Sequence, residues 1–230
     1  MRFVDPDGRA PDDIIIISGK QNLKYENGNL YNKDGSAYTG KVDKFTQKTV
    51  DALGAISKSA EGASMVNELQ SSKNTFTIAK GDSEFNHSDS KKAYANQFTT
   101  DPDAAVSFAA LTKMGVDFSG GSGGAVTWDT SGGSLPTTNG MQTNATTDLA
   151  HEMFHALDSN RGMLDGRNEG GVKRSEWQAV FRENRLRSEL GKPLRNFYQT
   201  TVDENGVKSG AGPSMLSPSN TNVKPSWYKL

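Results

Sequence analysis

Residues 148–160 read DLAHEMFHALDSN, and within them His151, Glu152 and His155 stand in an H-E-x-x-H arrangement. On an α-helix, positions i and i+4 share a face with their Cβ atoms about 5–6 Å apart, so the two imidazoles can reach one ion. Zinc accepts such nitrogens at about 2.0–2.1 Å, takes a third protein ligand and leaves its last position to water. Glu152 is turned about 100° around the axis from His151, where its carboxylate can address that water instead of the metal. A carboxylate that takes the proton of an activated water and passes it to a leaving amine hydrolyses amides. A lone His or Glu on a helix is usually a solvated surface residue. With three His and ten Glu in 230 residues, their meeting at this spacing is poorly explained by chance.

The third ligand has to come from outside the motif. His87 would complete a three-His set, but its surroundings, FNHSD, read as a surface loop. Asp158 shares the His face yet lies a turn past His155, which suits it better to bonding an imidazole than to binding the ion. Glu176 opens a second helix in SEWQAVFRENRLR, where the Gly-rich return between the helices can bring a carboxylate back to the ion, and it is the favoured third ligand. An acid in a first helical turn is also favoured by the helix dipole alone. Glu183 and Arg187 have i,i+4 spacing on the side of Glu176, giving either support for the site or an exposed ion pair. Tyr198, in LRNFYQ, is a candidate to stabilise an oxyanion, with a packed aromatic as the plainer alternative.

These side chains need elements to hold them. Asn144, Thr146 and Thr147 can cap a helix over 146–158, whose apolar face is Leu149, Ala150, Met153, Phe154 and Leu157. The second helix is expected to start at Ser175, with Gln178 at capping-box spacing, and to stop at Gly191. Upstream, IIIISG (14–19) and NTFTIAKG (74–81) read as strands. The segment 23–40, with Asn27-Gly28 and Asp34-Gly35 between Leu and Tyr positions, reads as a hairpin. Residues 41–72 have helical spacing, with Gly62 as the divider between two helices. Residues 105–118 suit helix or strand equally. The Gly-rich stretch 120–124 has no following Lys-Ser/Thr and opens no helix, so it reads as a flexible connection rather than a phosphate loop. It leads into a strand over 125–128, a candidate to line the cleft and pair with substrate backbone.

Composition narrows the function classes. Hydrophobic residues make up 33% of the chain, which leaves much of it for loops, hairpins and tails. Net charge is −1 with no basic stripe, which argues against nucleic-acid binding. Cys is absent, which excludes thiolate ligands, thiol nucleophiles and disulfides. No run approaches the ~18 apolar residues of a membrane span, and the first residues lack a secretory signal pattern.

The stretches LAHEMFHALD, SEWQAVFREN and LGKPLRNFY together resemble the zincin metallopeptidase domains at the C-termini of bacterial RHS/YD-repeat polymorphic toxins, akin to NleD-type effector peptidases. The resemblance spans roughly 14–200. It implies Zn²⁺ held by His151, His155 and Glu176, with Glu152 as base. One departure is that Glu176 stands alone where relatives often carry neighbouring acids. RFVDPDGRAPDD resembles the D-P-x-G junction that ends an RHS-repeat shell. The expectation is therefore a junction at 1–13, a peptidase domain at 14–202 and a mobile tail at 203–230, with WYKL docking back onto the body. The expected fold is α+β and zincin-like, a small twisted sheet packed on the H-E-x-x-H helix with a second ligand-bearing helix. The implied protein is secreted or contact-delivered from a bacterium and acts inside a recipient cell. Its implied partners are a protein or peptide substrate, a cognate immunity protein and the RHS-repeat shell. A zinc-dependent cell-wall amidase or a non-catalytic metal-stabilised module would share the same centre.

Overall fold

The computed structural model describes residues 14–228; the junction expected at 1–13 lies outside the described residues. The order is β1 (Ile14–Ser18), β2 (Gln21–Glu26), β3 (Asn29–Tyr31), α1 (Lys44–Ile56), α2 (Ala60–Gln70), β4 (Phe76–Lys80), β5 (Glu84–His87), then α3 (Ser90–Ala93), α4 (Ala95–Thr100), α5 (Pro102–Lys113) and β6 (Gly124–Trp128). The chain continues through β7 (Ser134–Thr137), β8 (Gly140–Thr143), α6 (Ala145–Asn160), β9 (Asn168–Glu169), β10 (Val172–Lys173), α7 (Arg174–Glu189), β11 (Phe197–Val202) and β12 (Lys208–Ser214). The class is mixed α+β.

The central sheet runs β3-β2-β1-β4-β6-β5. Its middle pairs, β1 with β4 and β4 with β6, are parallel, while β2, β3 and β5 add antiparallel. Alternation along the strands puts Ile14, Ile16, Tyr25, Phe76, Ile78, Val126 and Trp128 on one buried face. They share a core with Leu53 and Ile56 of α1, Met65 and Leu69 of α2, and Leu149, Met153, Phe154 and Leu157 of α6. The apolar face read from the sequence thus seats the motif helix on the sheet.

Several expectations change. The divider between the first two helices is Ser57–Ser59, and Gly62 lies inside α2, where its amide is capped by Ser59 Oγ at 2.9 Å. It is needed there for closeness, because a Cβ at this position would lie 2.2 Å from the carbonyl oxygen of Ile56. The ambiguous segment is helical in α5 as far as Lys113, and FNHSD contributes strand β5 rather than a loop. The 120–124 connection is packed, not flexible: a Cβ on Gly121 would sit 1.8 Å from the Asn160 carbonyl oxygen, so backbone abuts backbone. Strand β6 has neighbours on both sides, so the edge strand on this side of the sheet is β5, with β3 at the other end. Helix α7 begins at Arg174 with no side-chain cap, and Ser175 instead donates its amide to the Asp165 carbonyl oxygen at 2.9 Å. Residues 203–214 continue the β11–β12 hairpin and are largely exposed, whereas Met215, Leu216 and Tyr228 beyond it are buried. Their Ser/Asn/Gly/Pro content belongs to a hairpin and a strap whose few apolar anchors are far apart in sequence.

Gly62→Ala is expected to cost about 2–3 kcal/mol through that backbone clash. The matched change Gly54→Ala, in the exposed middle of α1 with open space around it, should gain roughly 0.5–1 kcal/mol. Urea unfolding of both variants checks the contrast.

Candidate metal centre

Helix α6 is fixed at both ends before any site chemistry enters. At its start Asn144 Oδ1 accepts the Thr147 amide at 3.2 Å, and Trp128 Nε1 donates to the Ala145 carbonyl at 2.8 Å. At its end Ser122 and Ser159 exchange two hydrogen bonds of 2.9 Å. The side chains of His151 and His155 leave the helix on the face turned away from the sheet core and are buried beneath α7. After α6 the chain reverses through β9 and β10, and the docking of Ser175 on Asp165 sets where α7 starts. That places Glu176 over the His pair.

Glu176 Oε2 lies 3.2 Å from His151 Nε2 and 3.0 Å from His155 Nε2. One donor atom from each of the three residues falls within 4.8 Å of the others, a set that could hold a metal ion. Two imidazole nitrogens and one carboxylate oxygen, buried but facing a cleft, fit a borderline cation such as zinc. The imidazoles stand nearly perpendicular, at 87°, so their Nε2 atoms converge rather than stack.

His151 is held from its other nitrogen. Glu183 Oε2 lies 3.1 Å from His151 Nδ1 and also accepts Arg195 Nη1 at 3.2 Å, while Oε1 accepts Arg187 Nε at 2.6 Å. Burial alone would push the Glu183 carboxyl upward, but Arg187 and Arg195, then His151, hold it well below the usual carboxylate range. Burial works against the imidazolium of His151, yet its hydrogen bonds to the Glu176 and Glu183 carboxylates carry its pKa up to about 10. Both oxygens of Glu183 are thus occupied, and the Nδ1 side of His151 is fixed as in carboxylate–histidine–metal arrangements.

The cleft beside the centre encloses about 330 Å³ and is lined by Phe85, His87, Glu152, His155, Lys173 and Tyr198 among others. Glu152, half-buried, is among these lining residues. Strand β5 forms one wall and the β10–α7 junction another. Tyr198 lines the cleft with its ring stacked on His151, centroids 6.3 Å apart, and Arg195 at 5.0 Å from its centroid. Burial, then the charge of Glu176, raises its hydroxyl above the ordinary phenol range.

Two candidates fall elsewhere. Asp158 does not reach an imidazole; both its oxygens take the Tyr228 hydroxyl, at 2.9 and 3.0 Å. It lies three residues past His155, which turns it toward the Tyr228 hydroxyl and, at 3.7 Å, the Arg182 guanidinium. His87 lies in the cleft wall with its ring edge-on to Tyr94, outside the three-donor group. Arg195 escaped sequence reading altogether. It reaches Glu183 only because the chain turns back at Gly191 and Asn184 grips the Arg195 backbone at 2.7 and 2.9 Å. No spacing rule signals such a contact.

A family model described as Peptidase_M91, effector protein, matches residues 32–198. The chain belongs to this family. No curated protein and no solved structure matches it. The Peptidase_M91 stretch contains the whole three-donor group, Glu152, Glu183 and Arg195, and ends at Tyr198. This is a peptidase-type effector domain, and the cleft with its converging donors is where its chemistry is expected.

Two buried acids at this centre should respond oppositely to neutralisation. Glu183→Gln strips the counter-charge from Arg187 and Arg195 and should cost about 3–5 kcal/mol. Asp148, whose Oδ2 accepts the Gly133 amide at 2.6 Å while Oδ1 has no partner, is pushed by burial from 3.8 up to about 6. The folded form keeps this proton up to about pH 6, whereas the unfolded chain releases it near 3.8, so stability falls as pH rises between those values. Asp148→Asn should therefore stabilise by about 1–3 kcal/mol at pH 8, with the gain fading toward zero near pH 4. Urea midpoints across that range read both effects.

Proposed function

We propose that this chain is a zinc-dependent endopeptidase with a zincin-like fold, the toxic domain of an RHS-type protein delivered from one bacterium into a recipient cell. The observation that carries the reading is the meeting of His151 Nε2, His155 Nε2 and Glu176 Oε2 in one group at a cleft that Glu152 also lines. Membership of an effector peptidase family supports the same chemistry. His151, His155 and Glu176 would be the zinc ligands, and the Glu183 bond to His151 Nδ1 would fix the ring and raise its basicity. When bound, zinc makes water more acidic and polarises a carbonyl oxygen. Glu152, one residue from a ligand but not among the three donors, accepts the proton of the attacking water on its carboxylate and returns it to the leaving amine. Tyr198, stacked on His151 at the cleft, would donate its hydroxyl to the carbonyl oxygen as charge develops there.

Substrate backbone is proposed to add along β5, the edge strand of the sheet that forms one wall of the cleft. A continuous strand at that edge selects an extended segment of a target protein. The 1–13 junction, a cognate immunity protein and an RHS-repeat shell belong to the same proposal and rest on the sequence resemblance. The peptidase domain of this proposal spans 14–202, with Met215, Leu216 and Tyr228 of the following segment buried against it.

Glu152→Gln should leave one zinc per chain and a wild-type fold while lowering cleavage by about 10²–10⁴-fold. His155→Ala should lose the metal. Elemental analysis of the purified proteins, together with mapping of new protein N-termini in cells expressing wild type or Glu152→Gln, tests both statements. A metal-free wild type, or undiminished cleavage by Glu152→Gln, overturns the mechanism.

A further inference from the structure

Beyond the stretch matched by the family model, residues 215–228 return to the two helices that carry the metal donors. Met215 packs on Val172 and Val180, and Asn222 Nδ2 donates to the Phe181 carbonyl at 2.8 Å. Trp227 lies under the Arg174 guanidinium, 4.6 Å from its ring centroid, at the first residue of α7. Tyr228 follows, edge-on to Phe181 and only 1% exposed. The segment therefore grips α7 at positions flanking Glu176 on both sides.

The hydroxyl of Tyr228 is the point where this strap also takes hold of α6. It accepts Arg182 Nε of α7 at 2.5 Å and donates to the Asp158 carboxylate of α6, whose oxygens lie at 2.9 and 3.0 Å. Asp158 is a turn past His155, and Arg182 precedes Glu183. One oxygen atom thus joins the helix bearing two donors to the helix bearing the third. The direct ion pair between the same two charges is longer than a hydrogen bond. Arg182 Nη1 is taken by Glu61 at 2.9 Å, while Arg182 Nη2 stands 3.7 Å from Asp158 and makes no hydrogen bond. Asp158 and Arg182 are both buried, so without the hydroxyl only the 3.7 Å ion pair would join them unless the helices moved closer.

We propose that Tyr228 is a positioning residue for the metal centre, its hydroxyl setting the separation of α6 and α7 at which His151, His155 and Glu176 share one ion. The inference rests on the metal-peptidase reading above. A shift of a few tenths of an ångström between the helices changes the donor geometry, and partners that orient ligands from outside the coordination shell affect metal affinity by about 10–100-fold in other sites.

The test uses the full chain and zinc alone, by competition with a chromophoric chelator at a temperature where circular dichroism shows every protein fully folded. Tyr228→Phe keeps the ring and removes the hydroxyl, and zinc affinity should fall about tenfold. Tyr25→Phe, which removes a buried hydroxyl from β2 in the far part of the sheet, should leave it unchanged. The d–d absorption of the Co²⁺-loaded Tyr228→Phe protein should shift as the ligand geometry distorts. Trp227→Ala, which loosens the same strap at the half-buried Arg174 stack, should weaken zinc about threefold and serves if Tyr228→Phe does not fold. Wild-type zinc affinity in the strap variants, or an equal loss in Tyr25→Phe, overturns the positioning role while leaving the metal centre standing. Failure of the wild-type protein to bind zinc overturns the metal-centre reading and this inference with it.

Discussion

Keeping an ionised carboxylate fully buried costs several kcal/mol unless counter-charges accompany it, and Glu183 is buried to 0% exposure. Arg187 comes from its own helix one turn on; Arg195 has to be fetched from beyond the Gly191 turn. Fetching Arg195 dictates the course of the chain after α7. Arg195 then fixes the next three residues, since its guanidinium also donates to the Phe197 and Tyr198 carbonyls at 3.2 and 2.9 Å. Tyr198 therefore arrives at His151 as a consequence of neutralising Glu183. The orientation of His151, the entry to β11 and one wall of the cleft all depend on this single carboxylate.

The second constraint is topological. A parallel pair of strands needs a crossover, and the β4-to-β6 crossover carries β5 and the three short helices α3–α5. Within it β5 turns back to lie antiparallel on the outer side of β6, leaving its other edge free toward the cleft. Because α6 packs on the same sheet and is pinned to the flanks of β6 through Trp128 and Ser122, the distance from the free edge to the donors is set by rigid elements and not by a loop. Function at an edge and a core at the centre come from the same sheet.

Much of the site was legible because it is periodic. His151, Glu152 and His155 follow one helical repeat, and Glu176, Glu183 and Arg187 follow another, so their faces can be read without coordinates. Asn144 as cap and Leu149, Met153, Phe154 and Leu157 as buried face were equally readable. The failures share a cause: tertiary contacts that leave no local signature. Glu84–His87 alternates only among polar and half-buried residues, so a strand at a sheet edge looks like a loop. Gly120–Gly124 is glycine-rich because backbone passes against backbone at Thr75 and Asn160, which composition cannot distinguish from flexibility. Tyr228 anchors the strap through one hydroxyl and one ring, too little apolar surface to register against the polar residues around it.

An amphipathic helix is ordinarily read as one buried face and one wet one, and α6 shows where that reading stops. Its apolar stripe lies on the sheet, while Asp148, His151, His155 and Asp158, spaced three or four residues apart along a second stripe, are buried as well. The surface covering them, α7, is polar in kind: Ser175, Gln178, Arg182, Glu183, Asn184 and Arg187 are its buried residues alongside Ala179, Val180 and Leu186. Two apolar helices can slide by a turn and still bury similar area, because the hydrophobic effect is not directional. Ion pairs and short hydrogen bonds forbid the slip, since a one-turn displacement of α7 would leave Glu183 without His151 and Arg182 without Tyr228 at once. Register between the helices is what brings a carboxylate from one to two imidazoles on the other, and a charged interface specifies that register where an apolar one would not.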